Sequence, residues 1–268
     1  MNEDQSGAST SSPARRDRRV RIGDRDLAVS LWGGDATDPG APSVVFLHDG
    51  LGSVGQWRDV PAAVANRTGR TVAAYDRAGH GASTPAPAGP WPADWLHTEA
   101  EVLGALLHEL GADDAALVGH SDGGSIAAIH AAATPEGSTS PLILLAAHTW
   151  TEDVTVAEIR RMREQPEPIV GALARFHEHP AAVFEAWSGA WVSEAFATWD
   201  IRPLVGAITR PTLVAQGAAD EYATPFHATS SGEAIGANAE VRLLPDLGHL
   251  LHHQAPDTVV DLVVEALG

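Results

Sequence analysis

Short apolar runs alternate along the chain with amphipathic stretches. Residues 44–47, Val-Val-Phe-Leu, form a continuous apolar run, the pattern of a strand buried on both faces. Residues 71–75, 115–118, 142–145, 212–215 and 241–244 predict further strands, and 20–22 with 27–31 predict a leading hairpin. Between them, helical spacing predicts helices around 57–66, 94–110, 123–133, 226–235 and 256–267, the second stopped by Gly111. Strands alternating with helices predict an α/β fold, a mostly parallel twisted sheet with helices on both faces.

One stretch breaks the alternation. Residues 150–200 hold no convincing strand but do hold helical patterns at 160–163 and 177–191, and they carry Trp187, Trp191 and Trp199. An aromatic, helical insertion between two core strands predicts a cap over a pocket. The expected organisation is a disordered tail at 1–18, an α/β core at 19–149 and 201–268, and a helical cap at 150–200.

Composition narrows the chemistry. The 268 residues are enough for one large α/β unit with an insertion, and 44% hydrophobic residues supply its core. Cysteine is absent, which removes disulfides, thiolate nucleophiles and cysteine-ligated zinc. All 17 basic residues are arginine, so neither a Schiff-base lysine nor a P-loop lysine is available. The formal charge is −18; residues 1–25 carry +2 and the remainder −20. Such a surface repels nucleic acid and anionic membrane, so the expected partner is a small-molecule substrate. The arginine cluster at 15–19 reads as part of a solvated tail. No apolar run approaches a membrane span, and the N-terminal residues lack the apolar centre of a secretory signal; the expected location is cytoplasmic.

The strongest chemical signal is Gly119-His120-Ser121-Asp122-Gly123, placed directly after a predicted strand and directly before a predicted helix. This G-x-S-x-G frame is a strand-to-helix turn that exposes a serine at the top of a sheet. The helix start offers free N–H groups and its dipole to a developing oxyanion. A serine nucleophile needs a base, and the base an orienting acid, here in chain order serine, acid, histidine. Asp220 follows the strand at 212–215 and His249 follows that at 241–244. Glu221 and Asp153 are alternative acids, and His252 and His253 lie downstream at the expected start of the last helix. The spacing His249-x-x-His252-His253 has no carboxylate at helical spacing, so no metal or other cofactor is expected. The oxyanion donors are expected to be the backbone N–H groups of Gly50 and Asp122.

Five ordered motifs resemble the α/β-hydrolase superfamily: His48-Asp49-Gly50-Leu51-Gly52-Ser53, the segment from Asp76 to Ser83, the G-H-S-D-G-G elbow, the Gly217 to Asp220 loop, and Gly248-His249. The resemblance covers about residues 20–148 and 202–268, and implies that 150–200 is a cap. Asp49 departs from the pattern, since many relatives carry glycine there. The expected activity is cleavage of a small carboxylic ester, lactone or thioester. The same triad also serves carbon–carbon hydrolysis, perhydrolysis or lyase chemistry, and a non-catalytic binding protein is the alternative of another class. Asp49, Asp122, Trp187 and Trp191 are the expected substrate-binding residues. A carboxylate beside an oxyanion is unfavourable, so Asp122 and Asp49 require either a local cation (Arg77, His80 or His120) or one brought by the substrate.

Overall fold

A computed structural model describes residues 14–34, 40–85, 89–134 and 138–268. Most of the expected tail, and part of the proline-rich loop at 84–92, lie outside the described residues.

Eight strands form one sheet in the order β1-β2-β4-β3-β5-β6-β7-β8. They are β1 (Arg16–Ile22), β2 (Arg25–Trp32), β3 (Val44–Leu47), β4 (Val72–Tyr75), β5 (Ala116–His120), β6 (Leu142–Leu145), β7 (Thr212–Gly217) and β8 (Ala239–Leu244). The β1–β2 and β2–β4 pairings are antiparallel and the rest are parallel. This is the α/β-hydrolase fold. Strand β1 begins at Arg16, inside the expected tail. Its sequence RDRRVRI opens with four charged residues on an exposed edge, so apolar pattern alone places its start too late.

The helices are α1 (Val60–Thr68), α2 (Trp95–Leu110), α3 (Asp122–Ala133), α4 (Asp153–Glu164), α5 (Glu167–Leu173), α6 (Pro180–Trp191), α7 (Arg202–Val205), α8 (Pro225–Ile235), α9 (Leu251–Gln254) and α10 (Pro256–Leu267). Local chemistry sets several of their ends. Gly69 and Gly111 close α1 and α2 in left-handed conformation, at φ 67° and 65°. Pro180 and Pro256 occupy the first turns of α6 and α10. The proline at 180 moves the start of α6 beyond the expected residue 177. His252 and His253 belong to the separate short helix α9, because Pro256 opens a new helix rather than continuing theirs.

The sheet is buried on both sides. One apolar cluster joins it to α2, α3 and α6, with Leu103, Leu106, Ile126 and Trp191 among its members. The other joins it to α1 and α10 through Trp57, Val64, Val259 and Val263. Strands β3, β4 and β6 are buried at every residue, which explains their continuous apolar sequences.

From β3 the chain winds to β4 on one side and then crosses to β5 on the other. The carboxyl ends of β3 and β5 therefore flank a topological switch point, where open α/β sheets bind ligands. Register sets Leu47 beside Gly119 and His120 beside Leu145, so the loops after β3, β5 and β6 leave from one rim. Helices α4, α5 and α6 lie between β6 and β7 over this rim. Among the described residues, no helix is long and apolar enough to cross a membrane.

Candidate active site

Ser121 occupies the turn between β5 and α3 with φ 52° and ψ −122°, a region that side chains rarely enter. Close packing holds it there. A Cβ at Gly119 would lie 2.4 Å from the Gly123 carbonyl oxygen, and one at Gly123 would lie 2.3 Å from that of Leu47. Only glycine lets α3 sit this close to β3 and β5. The Ser121 N–H donates to the Leu145 carbonyl (2.9 Å), tying the turn to β6.

Three loops converge on the serine hydroxyl. His249 Nε2 lies 3.0 Å from Ser121 Oγ, and His249 Nδ1 lies 3.0 Å from each Asp220 carboxylate oxygen. Asp220 also accepts the Tyr222 N–H at 2.8 Å. Burial favours the uncharged Asp220, but the His249 charge and these hydrogen bonds hold its carboxyl below the ordinary value. Burial likewise opposes a charged His249 ring; the Asp220 carboxylate outweighs it and raises the imidazole's affinity for a proton. With Asp220 ionised, Nδ1 carries the hydrogen and Nε2 faces Ser121 as an acceptor.

The alternative residues stand elsewhere. The Glu221 carboxylate accepts the His249 backbone N–H (3.0 Å), which fixes the loop without touching the ring nitrogens. Asp153 is exposed at the start of α4. His253 donates to the Gln56 carbonyl at 2.9 Å.

The loop after β3 is held from several sides. His80 Nε2 donates to the Gly50 carbonyl (3.0 Å), and His177 Nε2 to that of Leu51 (2.9 Å). His177 Nδ1 accepts the Gly81 N–H at 3.0 Å, so this residue of the inserted segment joins two core loops. Asp76 accepts the N–H groups of Val54 (2.7 Å) and Ala82 (3.0 Å). The Arg77 guanidinium donates to the carbonyls of His48 and Asp49. A Cβ on Gly50 would fall 2.0 Å from Trp187 Nε1 and 2.3 Å from Asp122 Oδ2, so this position admits no side chain. Asp122, first residue of α3, carries one of the N–H groups without an intrahelical acceptor.

The two unexpected carboxylates have distinct partners. Asp122 is buried and accepts the Trp187 indole N–H at 2.8 Å. Burial pushes its carboxyl up to about 7, against the pull of the Arg77 guanidinium. Arg77 thus acts on Asp122 through its charge, while its hydrogen bonds go to carbonyls. Asp49 accepts the Leu51 N–H (2.9 Å) and faces His120 Nδ1 at 3.5 Å.

A cavity of about 220 Å³ opens on Ser121 and His249. Asp49, Gly50 and Asp122 line it from the core side; Ile159, Met162, Leu173, Trp187 and Trp191 line it from the inserted helices. Trp199 is not on its wall and stacks against Phe196 at 5.1 Å. His148, three residues beyond the Leu145 that ends β6, also lines the cavity, its ring 5.7 Å from that of His249. Its position after a strand's carboxyl end is the sequence signal that marks it. A larger cavity of about 320 Å³, between Trp91, Trp95 and Glu99, contains neither Ser121 nor His249.

The chain belongs to the alpha/beta hydrolase family, whose profile matches residues 44–262. It is 25% identical to the sn-1-specific diacylglycerol lipase ABHD11 of Mus musculus, over 90% of this chain and 85% of that one. It is 27% identical to the 2-succinyl-6-hydroxy-2,4-cyclohexadiene-1-carboxylate synthase of Enterobacter sp. (strain 638), over 87% of this chain and 94% of the other. Among solved structures, it matches the enol-lactonase of Burkholderia xenovorans LB400 with a TM-score of 0.72 at 22% identity, covering 93% of this chain and 99% of that one. That last likeness is one of fold.

Proposed function

We propose that the chain is a serine hydrolase that cleaves a small carboxylic ester, lactone or thioester through an acyl-enzyme. The observation that carries this reading is the Ser121–His249–Asp220 relay, 3.0 Å at each junction, on a strained turn beneath a cavity.

In this reading Ser121 Oγ attacks the substrate carbonyl carbon and its proton passes to His249 Nε2. Asp220 orients the ring and stabilises the imidazolium. The Gly50 and Asp122 N–H groups hold the oxyanion, aided by the α3 dipole. Collapse expels the alcohol or thiol, which leaves with the proton from His249. Water then enters, His249 takes its proton, and the hydroxide attacks the acyl carbon. The acid departs as Ser121 Oγ regains its proton. The helices of 150–200 act as a cap whose apolar side chains hold the substrate and exclude water.

Stopped-flow reaction with p-nitrophenyl acetate, followed by a panel of p-nitrophenyl esters, lactones and thioesters, tests this. The expected outcome is a burst near one equivalent and preference for short acyl groups, in keeping with a cavity of about 220 Å³. No burst, with no turnover of any of the three substrate classes, contradicts it.

A further inference from the structure

His120 precedes Ser121, Asp49 precedes Gly50, and His252 lies three residues beyond His249. None of their side chains takes part in the reaction proposed above, yet the fold gathers them. One ring nitrogen from each imidazole and a carboxylate oxygen of Asp49 all lie within 4.8 Å of one another. His120 is fully buried and His252 is 2% exposed. Among the described residues, neither His120 Nδ1 nor His252 Nδ1 has a hydrogen-bond partner. His120 Nδ1 stands 3.5 Å from Asp49 Oδ2, an ion-pair distance too long for a good hydrogen bond. Two buried ring nitrogens without partners are unfavourable unless a ligand satisfies them.

The surrounding bonds prepare two of the three groups as ligands. His120 Nε2 lies 2.9 Å from the His249 carbonyl, which only accepts, so Nε2 carries the hydrogen and the Nδ1 lone pair faces the cluster. A ligating histidine is commonly held in this way, its far N–H on a carbonyl. Asp49 spends Oδ1 on the Leu51 N–H, leaving Oδ2 toward the imidazoles.

We propose that Asp49, His120 and His252 bind one divalent transition-metal ion of the zinc class. Two imidazoles and one carboxylate match zinc, whereas calcium and magnesium prefer all-oxygen sets. With bonds of roughly 2.0–2.1 Å at tetrahedral angles, ligand atoms on one ion stand about 3.4 Å apart, so loading draws the widest pair of the cluster, within 4.8 Å, closer by up to ~1.4 Å. Asp49 also borders the cavity, which leaves the fourth position to water from that side. The ion ties together the loop after β3, the end of β5 and α9, the segments that present Gly50, Ser121 and His249. It acts as a clamp behind the site and does not touch substrate. The site stands on this geometry whether or not Ser121 is a nucleophile.

The test uses the full-length protein, stripped with EDTA and titrated with Zn²⁺ by calorimetry and elemental analysis. The expected result is one tightly bound zinc per chain, with Tm raised by about 5–10 °C at a hundredfold excess over Kd. Co²⁺ loading is expected to give the visible bands of a four-coordinate site. His252→Gln and Asp49→Asn are each expected to weaken zinc binding at least ~100-fold. The exposed His97, His108 and His179 provide only weak background binding that these variants leave unchanged. Should a variant fail to fold, the stoichiometry and cobalt spectrum of the unsubstituted protein decide. A Tm indifferent to zinc together with no cobalt bands means that the cluster holds only a shared proton, which overturns the proposal. So does a folded His252→Gln that binds zinc as tightly as the parent.

Discussion

Trp187 donates its indole N–H to Asp122 Oδ2 at 2.8 Å, and both side chains press against Gly50. A residue of the inserted helices thereby touches the carboxyl beside the proposed oxyanion hole; its N–H favours the ionised form, and burial opposes it. An ionised carboxylate ~5 Å from a developing oxyanion costs about 3 kcal/mol at an effective dielectric of ~20, roughly a hundredfold in rate. Burial instead favours the neutral acid, which places no charge there.

Asp122→Asn tests this relationship. Burial raises the Asp122 carboxyl from an ordinary 3.8 to about 7, with the Asp49 charge adding to it. Arg77, the Trp187 N–H and His249 pull it down. A raised value means that the folded state prefers the protonated acid. Its contribution to stability is complete below about 3.8 and is lost as pH rises through about 7. Asparagine keeps an oxygen for Trp187 and never ionises. In metal-free buffer, urea unfolding should show the variant gaining on the parent by up to about 4 kcal/mol between pH 4 and pH 8. The kcat/KM of the parent should fall above pH 7 relative to Asp122→Asn. Parallel pH profiles for the two proteins would mean that Asp122 does not titrate in this range.

Gly50→Ala places a methyl 2.0 Å from Trp187 Nε1. The loop must shift and carry its N–H away from the oxyanion position. A loss of about 10²–10³ in kcat is expected, with near-native circular dichroism, because one oxyanion donor is worth that much. Full activity in a folded Gly50→Ala would remove Gly50 from the proposed hole.

Trp187 and Trp191 both border the cavity, whereas Trp199 packs away from it. Acylation by a covalent serine inhibitor with a bulky acyl group should therefore change tryptophan emission. Trp199→Phe should retain that change, and Trp187→Phe should lose most of it. A flat response in the parent, with labelling confirmed by mass, would separate the inserted helices from the substrate.

What the sequence disclosed was local. The apolar runs at β3 and β6 are legible because those strands are buried on both faces. The elbow is legible because its glycines, demanded by close packing within the turn and against Leu47, fall in one short motif between a strand and a helix. Asp220 and His249 follow from chain order and strand ends. Strand β1 begins earlier than its apolar pattern indicates because an exposed edge needs few apolar residues. The Trp187–Asp122 bond, the His177 bridge and the Asp49–His120–His252 cluster each join distant segments. Helical spacing cannot reveal the proposed ligand set, drawn from a β3 loop, a β5 end and α9. For the same reason the spacing around His249 gave no carboxylate partner, although the fold supplies Asp49.

Ser121 is the nucleophile of the proposed reaction. Ser121→Ala and His249→Ala should each lower kcat by about 10³–10⁶, and Asp220→Asn by less than either. The most direct measurement is mass spectrometry of the protein after reaction with a fluorophosphonate, with peptide mapping of the adduct. One phosphonyl group per chain, on Ser121 and absent from a folded Ser121→Ala, is the predicted result. A label on another residue, or undiminished labelling and turnover in Ser121→Ala, contradicts it.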